Sequence, residues 1–255
     1  MKKIGLIGGV SYQSTIEYYH LINKEVNRLQ GTLNTAHIFM ESFNFSDIAE
    51  PMFNDRWDIV ENIMIDAACR LEAAGADFLA ISCNSLHKVV PAVERSVNIP
   101  LLHILTPAGL EIIKRKIVKV GLLGARFIMD ECFYSDYLRH HFNIEAITPS
   151  EEDKLIVEKV ILQELCFREI TEESRIAFNN IIYSLQKRGA QGIILGCTEL
   201  ALLMPLSSEK DIPIFDTTFL HSREIAHFAL EKNDTIIAQN PFETFATPDA
   251  FITPL

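Results

Sequence analysis

The sequence lacks the features of three broad classes of protein. It has no run of 18 apolar residues without a charge, so we predict no membrane-spanning helix and no membrane partner. It has no C-x-x-C pair, and its five cysteines are widely spaced, which argues against a zinc site or a disulfide framework and favours the reducing cytoplasm. Basic side chains are few, 23 against 34 acidic ones, and the resulting net charge of −11 argues against a nucleic-acid partner.

The N-terminus also lacks a complete targeting or nucleotide-binding motif. Met1-Lys2-Lys3 is similar to the start of a signal peptide, but the apolar run that follows is short and is broken by Gly5, Gly8 and Gly9. The glycine spacing is not G-x-G-x-x-G, and no Gly-Lys-Ser/Thr follows. We therefore predict a first β-strand and a tight turn whose backbone can approach a small carboxylate.

The apolar content is ordinary for a packed protein, at 48% of 255 residues. Short apolar runs such as Ile4–Ile7, Phe78–Ile81 and Ile193–Leu195 alternate with segments of helical periodicity. Repeated β-α units of this kind predict an α/β protein with mainly parallel sheets covered by helices.

The two halves of the sequence repeat each other. Gly5-Leu6-Ile7-Gly8 matches Gly121-Leu122-Leu123-Gly124, and the separation between matched residues only drifts from 116 to 113 along the series. The other matched pairs are Gly75 with Gly189, Cys83 with Cys197, Pro91 with Pro205, and Ile99-Pro100 with Ile212-Pro213. We predict two similar parallel-sheet lobes related by pseudo-twofold symmetry, with the active site in the cleft between them. The first spans residues 1–104 and is completed by residues 216–255, and the second spans residues 105–215.

Cys83 and Cys197 each follow an apolar strand in the repeat, and each precedes a polar residue and a helical pattern. Ligands of open α/β sheets bind beyond the carboxyl ends of strands, so both thiols are predicted to face the cleft. Free N–H groups at the following helix starts are expected to lower the thiol pKa. Two opposed thiols suit the inversion of a stereocentre, in which one removes a proton and the other adds one. The remaining cysteines, Cys69, Cys132 and Cys166, are expected to be buried packing residues.

At these residues the sequence resembles the aspartate/glutamate racemase superfamily, and most of all its pyridoxal-phosphate-independent amino-acid racemases. The resemblance rests on residues 5–15, on Cys83-Asn84-Ser85-Leu86-His87, on Gly196-Cys197-Thr198-Glu199-Leu200 and on Asp216-Thr217-Thr218 with His221. It implies that Cys83 and Cys197 are the catalytic acid and base and that no cofactor is needed. It also implies that Asn84, Ser85 and Thr198 bind the α-carboxylate, and that the protein forms a homodimer.

The same resemblance leads us to predict further contacts with a small amino-acid substrate. Val10, Ser11, Tyr12 and Glu199 lie within the matching motifs and are predicted to line the substrate site. Members that act on aspartate hold its distal carboxylate with basic side chains, and Arg56 and Arg126 are the candidates here. His221 is predicted to support the site through a hydrogen bond, while His87 and His103 remain alternative acid/base groups. No pair of histidines has metal-ligand spacing, so no metal is predicted.

These predictions favour an amino-acid racemase with aspartate or glutamate as the default substrate and with neutral amino acids as a broader alternative. Two other classes stay open at this point. One is another isomerase or a decarboxylase of the same superfamily, and the other is an amino-acid-binding protein without catalysis. Retention of both cysteines favours inversion, because binding alone needs neither thiol.

Overall fold

The computed structural model describes residues 1–167, 169–203 and 212–231, which form two lobes. Each lobe has a four-stranded sheet in which all neighbouring strands are parallel. The first sheet has the order β2-β1-β3-β4, with β1 at Ile4–Gly8, β2 at Ile38–Ser42, β3 at Phe78–Ile81 and β4 at Leu101–Leu102. The second has the order β6-β5-β7-β8, with β5 at Lys119–Gly124, β6 at Glu145–Ile147, β7 at Ile193–Gly196 and β8 at Ile214–Asp216. The predicted α/β class with two parallel-sheet lobes is confirmed.

Helices connect these strands and cover both faces of each sheet. In chain order they are α1 (Tyr12–Gln30), α2 (Phe45–Phe53), α3 (Trp57–Ala73), α4 (Val90–Ser96), α5 (Leu105–Lys114), α6 (Arg126–Asp130), α7 (Cys132–Phe142), α8 (Glu151–Gln163), α9 (Glu172–Lys187) and α10 (Thr217–Leu230). Short 3-10 turns lie at Ser85–Val89, Leu165–Phe167 and Thr198–Leu202. Among the described residues, none of the helices combines the length and the apolar character needed to cross a bilayer.

The sequence repeat corresponds to a repeat of structure. The two strand orders are the same, and the matched glycines occupy the same places in them. A Cβ on Gly5 would lie 2.7 Å from the Leu79 side chain, and one on Gly121 would lie 2.6 Å from the Ile193 side chain. Each of these glycines therefore allows a side chain of the neighbouring strand to lie across β1 or β5.

The last described helix packs against the first lobe after the chain has left the second sheet. β8 ends at Asp216, and the Asp216 carboxylate caps α10 by accepting hydrogen bonds from the N–H groups of Thr218 and Phe219. Ile225, Ala226 and Ala229 of α10 then join the apolar cluster that covers one face of the first sheet. Residues 232–255, which the sequence analysis also assigned to the first lobe, lie outside the described residues.

Candidate active site

A cavity of about 330 Å³ lies between the carboxyl ends of the two sheets. Both lobes line it, so it occupies the cleft between the two halves of the repeat. Of the predicted site residues, the first lobe contributes Val10, Ser11, Cys83, Asn84 and Ser85, and the second contributes Arg126, Cys197, Thr198 and Glu199.

Cys83 lies just beyond β3, at the start of the 3-10 turn Ser85–Val89. Burial raises the pKa of its thiol to about 11, and the charge of Glu199 acts in the same direction. Backbone N–H groups of Ser85 and Leu86 interact with the sulfur and oppose this rise. These two N–H groups stabilise the thiolate, so Cys83 has part of the environment of a general base.

Cys197 lies at the matching position beyond β7, but its partner is a carboxylate. Its Sγ donates a hydrogen bond to Glu199 Oε2 over 3.0 Å. Burial and the negative charge of Glu199 hold the pKa of this thiol well above its usual range. The sequence-based expectation that both thiol pKa values are lowered is therefore wrong. The turns after the cysteines are only five residues long, and loss of water around the sulfur outweighs their N–H groups.

Glu199 joins the two lobes at the cavity floor. Its Oε1 accepts a hydrogen bond from Ser11 Oγ at 3.1 Å, and its Oε2 accepts one from Thr198 Oγ1 at 2.5 Å in addition to that from Cys197. Ser11 precedes α1 in the first lobe, so this carboxylate holds the N-terminal motif against the second cysteine motif.

Asn84 is also held from the opposite lobe. Its Oδ1 accepts a hydrogen bond from Tyr134 Oη at 2.6 Å and lies 3.1 Å from Thr217 Oγ1. The side chain is buried, so these contacts fix the orientation of the amide. With Oδ1 occupied, the Nδ2 donors are left for a ligand in the cavity.

Three histidines, the buried His87 and His221 and the half-buried His103, lie outside the cavity. His87 Nδ1 is 2.9 Å from the Cys83 carbonyl, while its Nε2 accepts the Ile104 N–H, so Nδ1 carries the proton. His221 Nδ1 is 3.0 Å from Tyr18 Oη, and its Nε2 is 2.9 Å from the Leu102 carbonyl, so Nε2 carries the proton. Burial lowers the pKa of His87 to about 4 and that of His221 to about 3, and it also lowers the pKa of His103. All three are neutral at pH 7, and they hold the backbone that carries the site.

The family of the chain follows from a match to a family model over residues 7–225, which include both cysteine motifs. The model is that of the Asp/Glu/hydantoin racemases. The chain belongs to this family.

Individual members of the Asp/Glu/hydantoin racemase family resemble the chain over most of its length. The broad specificity amino-acid racemase RacX of Bacillus subtilis (strain 168) is 25% identical over 224 residues, which are 84% of this chain and 92% of that protein. A crystal structure of a Yersinia pestis protein assigned to the Asp/Glu racemases superposes with a TM-score of 0.85 at 39% identity, covering 91% of this chain and 100% of that one. A crystal structure of an aspartate racemase homologue from Pyrococcus horikoshii OT3 superposes with a TM-score of 0.79 at 33% identity. The superposition covers 91% of this chain and 100% of that one.

Two residues that the racemase resemblance suggested do not line the cavity. Tyr12 begins α1 and is 62% exposed, because the helix directs its first turn outwards. Arg56 is exposed and forms an ion pair with its neighbour Asp58 at 2.8 Å. Arg126 does line the cavity, where it contacts Asp130 and Glu151.

The other cysteines also differ from the sequence-based expectation. Cys69 and Cys132 are exposed on α3 and α7, so neither is a buried packing residue. Cys166 is half-buried in the 3-10 turn Leu165–Phe167 and lines the cavity close enough to raise the pKa of Cys197. The helical periodicity of the sequence continues to Cys166, but α8 ends at Gln163, so the cysteine lies in the turn that follows the helix.

Most of the residues that form the cavity wall were not predicted from the sequence. Ser14 was not predicted, although it lies within the N-terminal motif and its Oγ donates to the Ser82 carbonyl at 2.7 Å. The larger omission is the set that lies on α2, α6 and α8, namely Phe45, Ala49, Met52, Phe53, Phe127, Glu158, Ile161 and Leu162. No motif marks these residues. In the part of the chain that the structure describes, no cluster of three or more His, Cys, Asp or Glu side chains has metal-site geometry.

Proposed function

We propose that this protein is a cofactor-independent amino-acid racemase that uses Cys83 and Cys197 as its acid and base. The observation that carries the proposal is that two thiols from equivalent positions of the repeat line one cavity from opposite lobes. A substrate bound between them would have one thiol near each face of its α-carbon. Removal of the α-proton on one face and delivery on the other inverts the stereocentre.

The contacts of the thiols suggest how the roles are divided at rest. Cys83 receives two backbone N–H groups that favour its thiolate, whereas Cys197 receives one, from Glu199, and its thiol donates a hydrogen bond to the Glu199 carboxylate. Cys83 is therefore the better base, and Cys197 acts as the acid for the enantiomer whose α-proton faces Cys83. For the opposite enantiomer the two thiols exchange these roles. Donors from Asn84, Ser85 and Thr198 would hold the α-carboxylate and stabilise the charge that develops on it.

The default substrate that the family resemblance implies is aspartate or glutamate, and neutral amino acids are the alternative. The relatives differ in this respect, since one is named for broad specificity and another as an aspartate racemase homologue. We also propose a cytoplasmic location, supported by the five free cysteines, and a homodimer, supported by the family resemblance alone.

The test is to incubate the protein with single L-amino acids in D₂O without added cofactor. We expect deuterium at Cα together with the D-isomer. Cys83→Ala and Cys197→Ala should each lower turnover by roughly 10²-fold or more, the usual contribution of a general acid or base. Cys132→Ala, which changes an exposed cysteine outside the cavity, is the matched control and should remain active.

Two outcomes would contradict the proposal. A fully active Cys83→Ala or Cys197→Ala variant with wild-type circular dichroism would exclude the two-thiol mechanism. Binding of an amino acid without any exchange at Cα would favour a binding protein, and loss of CO₂ from the substrate would favour a decarboxylase.

A further inference from the structure

The cavity has a polar end and an apolar end. Ser11, Ser14, Asn84, Ser85 and Thr198 lie with the two thiols, where the α-carbon and α-carboxylate would bind. The apolar part of the lining comes from α2, α6 and α8, away from the two cysteine motifs in the chain, and forms an apolar wall of Phe45, Met52, Phe53, Phe127, Ile161 and Leu162. The substrate side chain must project towards this wall once the α-carbon lies between the sulfurs.

Both lobes contribute to the apolar wall, and much of its surface is exposed in the part of the chain that the structure describes. The rings of Phe53 and Phe127 lie 5.9 Å apart across the boundary between the lobes. Phe45, Phe53 and Leu162 are 44%, 63% and 46% exposed. A ligand with an apolar side chain would remove this surface from water, which is favourable in proportion to the area covered.

The charges on the wall do not favour a second carboxylate. Arg126 is the cation there, and its Nε and Nη2 already contact Asp130 and Glu151, which also bind Lys154. Its buried Nη1 has no hydrogen-bond partner among the described residues, so one donor remains for an acceptor on the ligand. Glu158 lines the same cavity and has no ion pair among the described residues. A distal carboxylate would meet this uncompensated charge and that of Glu199.

We propose that the substrate side chain is uncharged and mainly apolar, of the size of leucine, methionine or phenylalanine, and that aspartate is a poor substrate. This inference rests on the proposed racemase function and names the substrate class of that same site. Phe53 and Phe45 are the specificity-determining residues, because they form the exposed part of the wall that the side chain covers.

The first experiment measures kcat/KM for α-deuterium exchange with L-leucine, L-methionine, L-phenylalanine, L-alanine, L-aspartate, L-glutamate and L-lysine. The best large neutral substrate should exceed aspartate, glutamate and lysine by roughly tenfold or more, as differences of a few apolar groups usually give. A charged amino acid at or above the best neutral one would overturn the inference and leave the racemase proposal standing. No exchange with any amino acid would overturn the racemase proposal itself.

The second experiment uses Phe53→Ala, with Phe45→Ala as a second variant of the same wall. Each should lower kcat/KM for L-leucine by roughly tenfold while changing that for L-alanine little, because the alanine methyl group does not reach the wall. Tyr183→Ala removes another exposed ring, from α9, and should leave both values unchanged. An equal loss for leucine and alanine in the Phe53 and Phe45 variants would overturn the inference.

Discussion

Glu199 makes the two thiols chemically different, although the repeat places them at equivalent positions. The repeat aligns Cys83 with Cys197, and it thereby aligns Ser85 with Glu199. Ser85 and Glu199 each contribute a backbone N–H near the sulfur that precedes them, but the Glu199 carboxylate also accepts a hydrogen bond from the Cys197 thiol. The pKa values of both thiols are raised, but the Cys83 sulfur has two N–H donors beside it whereas the Cys197 thiol faces a carboxylate, and this difference suits a pair in which one thiol removes a proton and the other supplies one.

Replacement of Glu199 by Gln tests this asymmetry. Glu199 raises the pKa of both thiols, so its neutralisation should lower both. We expect the rising limb of kcat/KM against pH to move to lower pH by roughly one unit, the size of shift that a neighbouring charge usually causes. The pH profile of α-deuterium exchange is the measurement.

The control for this variant is Glu158→Gln, which removes a carboxylate from the same cavity without a contact to either sulfur. Its pH profile should move less than that of Glu199→Gln. Equal shifts in the two variants, or a shift of the Glu199 variant to higher pH, would show that Glu199 does not set the thiol pKa values.

The two thiol pKa values also predict how kcat/KM of the wild-type protein depends on pH. Because the pKa of Cys83 is about 11 and burial holds that of Cys197 well above its usual range, little thiolate is present at pH 7. We expect kcat/KM to rise as the pH increases from 7 to 10, since deprotonation forms the base. A profile that is flat over this range would mean that a thiolate already forms at neutral pH.

At the scale of an element, the turn after Cys83 depends on His87. This side chain is 2% exposed and connects the Cys83 carbonyl to the Ile104 N–H just after β4. It therefore holds the end of β3, which carries the thiol, to the chain that leaves the neighbouring strand. Among the described residues that line the cavity, His87 is absent, so we expect it to position the Cys83 backbone and not to touch the substrate.

Replacement of His87 by Phe should destabilise the fold. The Cys83 carbonyl and the Ile104 N–H would each lose a buried partner, at a cost of roughly 1–3 kcal/mol per group. We expect the free energy of unfolding in urea to fall by about 2–6 kcal/mol, the sum for the two groups. His140→Phe changes an exposed histidine of α7 and should alter it by about 0.5 kcal/mol or less. Equal free energies of unfolding for the His87 variant and the wild type would show that the two hydrogen bonds of His87 do not stabilise the fold.

At the scale of the whole molecule, the buried histidines make the fold sensitive to acid. His87, His103 and His221 are neutral when folded, with ring centroids 4.7 Å apart for the first two and 6.0 Å for His87 and His221. Their folded pKa values are lowered, so the unfolded chain binds protons at a higher pH than the folded one. Stability is therefore complete above the unfolded pKa of about 6.5 and declines as the pH falls below it.

We expect the free energy of unfolding to decrease between pH 7 and pH 5, by up to roughly 1.4 kcal/mol per pH unit for each histidine below pH 6. Urea unfolding at several pH values in this range measures it. Glu25, whose pKa of about 2 is held down by Arg28, contributes only below about pH 4.5. Burial raises the pKa of Glu94, Asp216 and Glu224, so the folded chain protonates these groups first and they offset part of the histidine effect. His221→Gln should reduce the slope of the free energy of unfolding against pH by the amount that corresponds to one proton. A free energy of unfolding that does not change with pH in this range would contradict the prediction.

The sequence by itself determined the two-lobe α/β fold and the position of both thiols. Apolar runs and helical periodicity specify local elements, and a repeat with a nearly constant offset specifies that the elements occur twice. Since the carboxyl ends of parallel strands lie at one edge of a sheet, Cys83, Asn84, Cys197 and Thr198 could be assigned to that edge before any coordinates were known.

Only the tertiary structure decided what surrounds those residues. The thiol pKa values rise because burial outweighs two short turns, and burial depends on how the lobes pack. The apolar wall brings together residues from 45 to 162 that no motif connects, and the Arg126 guanidinium meets Asp130 and Glu151 in the folded chain. Sequence periodicity records which face of an element is apolar, but the partner of that face depends on contacts between residues far apart in the chain.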